Sequence, residues 1–161
     1  MPKVYKVEVV MKILVDADAC PVKDIIEEVA KQNNIPVYMF IDTSHILSSD
    51  YSKVIVVSKA PDAVDFALLN HTSKGDIVVT QDYGVAAMAL GKGAYAIHHN
   101  GREYLDGTID RMLMERHMAR ELRRTKGRIK GNMKKRSKAE DVTFRGSLYQ
   151  LCNKAKENKA K

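Results

Sequence analysis

A chain of 161 residues, 45% hydrophobic and 29% charged, is long enough for one domain that buries roughly 70% of its unfolded surface. No apolar run approaches the ~20 residues that cross a bilayer, no signal-peptide core opens the chain, and Cys20 and Cys152 have no metal-ligand spacing. A membrane span and a disulfide framework are thereby excluded, and a reducing, cytoplasmic setting is expected.

The first ten residues read as an extension or a further strand, with Met11 a candidate start. A short apolar run, Ile13-Leu14-Val15, then ends in Asp16-Ala17-Asp18-Ala19-Cys20-Pro21. It reads as a strand whose tip carries two carboxylates. Val22, Ile25, Ile26 and Val29 fall at i, i+3, i+4, i+7 and predict a helix from Pro21 to the Asn33-Asn34 pair. Pro36 to Ile41 is the second strand, and Asp42-Thr43-Ser44-His45 its exit loop. Val54 to Val57 is a continuous apolar run, read as a fully buried third strand. Pro61 opens a helix with Val64, Ala67 and Leu68, closed by Gly75. Ile77 to Thr80 is the fourth strand, Gln81 to Gly84 its exit, Val85 to Leu90 a short helix, and Ala94 to Ile97 a fifth strand.

From Asp106 to Arg124 the chain is predicted helical, with Ile109, Met112, Leu113, Met118 and Leu122 as an apolar stripe and the methionines as core filler. Lys126 to Arg136 reads as a basic loop. Ser137 to Glu140 is a capping box that starts a last helix with Val142, Phe144, Leu148 and Leu151. The expected architecture is an α/β fold, a three-layer α/β/α sandwich with a mostly parallel sheet of about five strands in the order 3-2-1-4-5, followed by C-terminal helices. Residues 11–153 form the domain, and residues 154–161 a frayed tail.

Net charge is +7, yet residues 111–138 hold twelve Lys/Arg against two Glu, so the remainder is mildly acidic. A basic segment of this density favours a polyanion, nucleic acid first, although a solvated basic helix is the plainer alternative. Lys23, Arg120, Arg123, Arg124, Lys126, Arg128 and Lys130 are the candidates for holding a phosphate backbone.

In open α/β sheets, ligands bind beyond the carboxyl ends of the strands. Asp16 and Asp82 occupy neighbouring strand tips in the expected order, with Asp18 just after the first. Asp62 and Asp65 lie early in the helix after strand three. Carboxylates gathered in one crevice repel unless a cation sits among them, and oxygen ligands suit Mg²⁺ or Mn²⁺. Asp16, Asp65 and Asp82 are the candidate metal ligands, and Asp16, Asp18 and Asp82 the candidate catalytic residues. Plainer readings stand beside these: Asp18 as a helix cap, Asp16 as a turn residue, Asp62 as a dipole-favoured acid and Asp65 as dipole compensation. Asp76 precedes its strand, on the opposite edge, and is excluded. Cys20 is read as a small packed residue, Ser44 and His45 as weak candidates, and His98 and His99 as a surface loop.

The run Val15-Asp16-Ala17-Asp18-Ala19-Cys20-Pro21-Val22, the strand end Val79-Thr80-Gln81-Asp82, and the basic glycine-bearing stretch Gly127 to Asp141 resemble the YaiI/YqxD family of bacterial proteins, over Met11 to about Leu151. Where that family usually has Gly-Pro in the basic loop, this chain has Gly131-Asn132. The family is similar to PIN-like nuclease domains. The resemblance implies an acidic, metal-binding pocket at the strand tips, with Asp16, Asp65 and Asp82 matching the acidic set and Asp18 a fourth, and RNA as substrate class.

The leading expectation is therefore a metal-dependent ribonuclease. A non-catalytic RNA-binding module would keep the basic segment and use the carboxylates structurally. A haloacid-dehalogenase-type phosphatase, with Asp16 as nucleophile and Asp18 as acid/base, is the remaining alternative. It is disfavoured by Ala19-Cys20 after Asp18 and by the lack of a second acid soon after Asp82.

Overall fold

Successive side chains of a strand point to opposite faces, and the short first strand, β1 (Ile13–Asp16), sets the layers by that rule. Ile13 and Val15 enter a core shared with α1 (Lys23–Gln32) and α5 (Lys138–Lys159), whereas Leu14 faces α2 (Ala63–His71) and α3 (Tyr83–Gly91). The other strands are β2 (Val37–Asp42), β3 (Lys53–Val57), β4 (Ile77–Val79), β5 (Tyr95–Ile97) and β6 (Glu103–Tyr104). They form one sheet in the order β3-β2-β1-β4-β5-β6, parallel throughout except for β5 with β6. A third cluster of Ala86, Ala96, Tyr104, Ile109 and Met112 seats α4 (Asp106–Lys126) against α3. The structure, a computed structural model, describes residues 10–18, 20–126 and 135–160.

The three-layer sandwich and the order of the first five strands are as expected; the sixth strand is an addition. β5 turns into β6 through a tight hairpin in which Gly101 adopts φ +92° and donates its N–H to the His98 carbonyl at 2.9 Å. A Cβ there would be strained and would stand 3.1 Å from the Ser147 hydroxyl.

Four expectations are corrected. β3 is not fully buried: it pairs only with β2, at the sheet edge, and Val56 is exposed. The stripe on α4 divides, because only Ile109 and Met112 reach the body; Leu113, Met118 and Leu122 stay exposed, so Met118 is not core filler. Val142 likewise faces solvent, while Phe144, Leu148 and Leu151 are buried. The chain after Asn153 is not frayed over its described length. α5 runs to Lys159, Ala155 is buried, and the Lys156 ammonium donates to the Asn33 carbonyl at 2.7 Å, covering the C-terminal end of α1.

The start of α5 is the capping box expected from the sequence: the Ser137 hydroxyl accepts from the Glu140 N–H at 3.2 Å, and the Glu140 carboxylate accepts from the Ser137 N–H. Ser137→Ala is expected to cost about 1 kcal/mol, read as a lower urea midpoint with unchanged slope.

Asp76 is buried at the amino end of β4, where it accepts from the Lys12 backbone and, at 2.6 Å, from its ammonium. It is structural, as its exclusion from the site requires. Among the described residues, no helix is long and apolar enough to cross a membrane. The N-terminal extension up to residue 9 and most of the basic loop, residues 127–134, lie outside the described residues.

Candidate functional site

The carboxyl ends of β1, β2 and β4 deliver acids to one place. Asp16 is the last residue of β1, paired with Phe40 of β2; Asp42 is the last of β2; Asp82 follows β4 and caps α3. Asp65 comes in from the first turn of α2. Asp18 stands in the turn after β1, where the Ala17 N–H still bonds to the Phe40 carbonyl at 3.1 Å.

Two neighbouring groups result. The tighter is Asp18, Asp42 and His45, whose candidate ligand atoms all lie within 4.8 Å of one another. His45 Nδ1 is 3.1 Å from Asp18 Oδ1 and 3.2 Å from Asp42 Oδ1. The Asp18 Oδ1 atom is buried and receives no hydrogen bond among the described residues. A single Nδ1 proton cannot satisfy two carboxylates at once, so this knot of acceptors is under-supplied with positive charge. Asp42 is better held: the Ser44 N–H donates to it at 2.8 Å and the Ser44 hydroxyl also donates, which keeps its carboxyl below the usual range.

The looser group is Asp16, Asp65 and Asp82. Burial pushes Asp16 up to about 6, and the charges of Asp65, Asp18 and Asp82 add to it, with the Thr80 hydroxyl pulling the other way. Asp65 is raised by burial and then by Asp82 and Asp62. Asp18 is raised by burial, partly offset by His45. Among the described residues none of Asp16, Asp65 and Asp82 forms an ion pair with Lys or Arg. Thr80, itself buried, also accepts from the Asp82 N–H at 3.0 Å and so ties the two tips together.

Some of the plainer readings hold and some do not. Asp82 is an N-cap: its Oδ1 accepts from the Gly84 N–H at 2.8 Å and the Val85 N–H at 3.2 Å. Among the described residues its second oxygen has no bond of that kind. Asp18 caps nothing, since α1 starts after Val22 without a side-chain cap. Asp62 is an exposed N-cap residue in the left-handed region, φ 63°, with no capping bond. Cys20 is buried and its thiol is pushed up by burial, as a packed residue should be.

Lys23, first residue of α1, is half-buried and close enough to Asp18 to lower its pKa. Arg120 lines a small cleft with Asp82, Tyr83 and Gly84; Arg123 lines a larger one beside Gln81 and His98. Arg124 is exposed, 3.7 Å from Glu121. The side chain of Lys126, and Arg128 and Lys130 entirely, lie outside the described residues. His98 and His99 stand in the loop between β5 and β6, as expected, but are half-buried there, with ring centroids 4.2 Å apart.

Sequence reasoning passed over Asp42 and Arg116. Asp42 had the same signal as Asp16, a carboxylate where an apolar strand ends. Arg116 had only its place one helical turn before Arg120.

A sequence profile described as "Uncharacterized BCR, YaiI/YqxD family" matches residues 14–154. A UPF0178 protein of Lachnoclostridium phytofermentans is 62% identical over 143 residues, 88% of this chain and 96% of that one. One of Clostridium acetobutylicum is 54% identical over 148 residues, 91% of this chain and 99% of that one. One of Ruminiclostridium cellulolyticum is 59% identical over 138 residues, 86% and 90% of the two chains. No solved structure matches the chain. With the profile covering residues 14–154 and these relatives covering most of the chain, the chain belongs to the YaiI/YqxD family of UPF0178 proteins.

Proposed function

We propose that the chain is a divalent-metal-dependent nuclease acting on RNA. The observation that carries this reading is the group of Asp18, Asp42 and His45 within 4.8 Å, with an acceptor buried and unsatisfied, beside the strand-tip carboxylates of Asp16 and Asp82 and that of Asp65 on α2. The donor chemistry fits a metal. Carboxylate oxygens suit Mg²⁺ and Mn²⁺ alike, and the imidazole of His45 shifts the preference toward Mn²⁺. Asp18, Asp42 and His45 would hold one ion, and Asp16, Asp65 and Asp82 would offer further carboxylate oxygens beside it. When bound, such an ion offsets charge on a phosphate oxygen and acidifies a water.

The chain's own residues supply the rest. Asp16, pushed up to about 6 by burial and then by the neighbouring carboxylates, is suited to accept a proton from an attacking water. Lys23 and Arg120 border the acids, Arg123 lines the next cleft along α4, and together they would offer cations to the phosphates on either side of the scissile bond. RNA is the substrate class favoured by the basic segment and by the likeness to PIN-like nuclease domains read from the sequence motifs.

Calorimetric titration with Mn²⁺ tests the metal site without knowledge of the substrate. Binding at micromolar to low-millimolar concentration is expected for the wild type, and its loss in the Asp18→Asn, Asp42→Asn double variant. An equal binding curve in that variant would remove these residues from the site. Wild-type binding without cleavage of any single-stranded RNA would leave a metal-stabilised binding module instead.

A further inference from the structure

Arg116 is held in place by two contacts that involve no carboxylate. Its guanidinium lies over the Tyr83 ring, 5.2 Å from the centroid, and donates one N–H to the Gln81 carbonyl at 3.4 Å. Among the described residues it has no ion pair, so most of its donor fork is open to a ligand. It lines both clefts along α4: the small one at Asp82, and a neighbouring one of about 470 Å³ lined also by His98, Gln81 and Arg123. Glu115 lies on the rim of the larger cleft, where it is 3.6 Å from Arg111.

His98 completes the lining. Its Nδ1 accepts the Asn100 N–H at 3.0 Å, so Nε2 carries the ring proton and is a neutral donor. Burial and the adjacent His99 push its pKa down to about 4, which keeps it neutral at physiological pH. Two guanidinium groups and a neutral N–H donor, with no carboxylate among them that lacks a partner, form an arrangement for an oxyanion.

We propose that Arg116, Arg123 and His98 form a phosphate subsite next to the strand-tip acids, which takes the phosphate of a nucleotide chain while its neighbouring diester lies at the carboxylates. The subsite rests on the nuclease reading for its ligand class, but its chemistry is independent of any metal. A phosphate bound here is fixed in register by Arg116, which spans both clefts. The planar fork stacked on Tyr83 makes arginine, rather than any cation, the requirement at residue 116.

The test is anisotropy of a labelled single-stranded oligoribonucleotide in EDTA at fixed ionic strength, with far-UV circular dichroism as the folding control. Arg116→Lys keeps the charge and loses the fork, so it is expected to weaken binding roughly tenfold. His98→Ala is expected to weaken it severalfold. Lys59→Gln, an exposed cation that lines neither cleft, sets the size of the diffuse field effect and is expected to do less than Arg116→Lys. Binding unchanged in Arg116→Lys, or no weaker than in Lys59→Gln, would overturn the subsite. The same measurement with 5′-phosphorylated and 5′-hydroxyl oligonucleotides separates two sources of phosphate. A defect confined to the phosphorylated one identifies a terminal phosphate, and a defect in both an internal one. Arg116-dependent binding by a chain that takes up no Mn²⁺ would sustain the subsite and refute the nuclease; Mn²⁺-dependent cleavage indifferent to Arg116→Lys would do the reverse.

Discussion

Asp16→Asn is expected to make the protein more stable and less active at once. Folded Asp16 titrates at about 6 against an ordinary 3.8, so the folded chain binds this proton more tightly than the unfolded one. Stability therefore falls as pH rises from about 4 to 6, and the full penalty, on the order of 3 kcal/mol, is present above pH 6. Asparagine removes the charge that Asp65, Asp18 and Asp82 oppose. In EDTA at pH 7.5 the variant should melt at least about 5 °C higher than wild type, and the gain should vanish below pH 4. Metal-dependent cleavage should fall by roughly 10²–10³-fold, because a group aimed at the reacting centre is lost. Thermal melts across pH, with and without Mn²⁺, check the first part. A variant that melts below wild type at pH 7.5 would show that Asp16 is not in a repulsive ring. Mn²⁺ should raise the wild-type melting temperature by binding the folded state, and the variant's by less.

The second large effect concerns α5. Phe144 is fully buried, in the same core as Ile13, Val15 and Met39, so Phe144→Ala removes a large side chain from a packed interior. The expected loss is about 3–5 kcal/mol, a large part of the stability of a domain this size. Val142→Ala on the same helix, where the native side chain is exposed, should stay within about 0.5 kcal/mol. Urea unfolding of both variants gives the comparison. Equal losses would mean that the buried face of α5 is assigned wrongly.

The strand tips were legible because an apolar run that ends abruptly in Asp16 and Asp18 has few structural uses. The role of Asp42 was hidden by its surroundings: Asp-Thr-Ser is also the composition of an ordinary turn, and the Ser44 N–H does bond to the Asp42 carboxylate as in one. Helical periodicity found Ile25, Ile26 and Val29 correctly. Grouping Val142 with Phe144, and Met118 with Met112, went against that same 3.6 repeat, because neither spacing returns to one face of a helix, and the exposed members are the ones off the face. β3 shows a different limit, that of apolarity alone. Val54 to Val57 is as apolar as a central strand, but only the pairing shows that one side lacks a neighbour. β6 is two residues long, too short for any period, and Ala155 with Lys156 extended α5 through contacts with α1 that no local pattern encodes.

The position of α5 also bears on how the chain is made. Ile13, Val15, Val37 and Met39 have one side roofed in part by residues 144–155. During synthesis that side stays open until the last of those residues has left the ribosome. Until then the nascent chain carries an uncovered, strand-rich apolar surface, the kind that invites self-association. Cotranslational folding can thus complete the α2–α3 side early, while the α1 side waits for the carboxyl-terminal helix. Premature termination before Phe144 should consequently yield an aggregating polypeptide rather than a smaller soluble one.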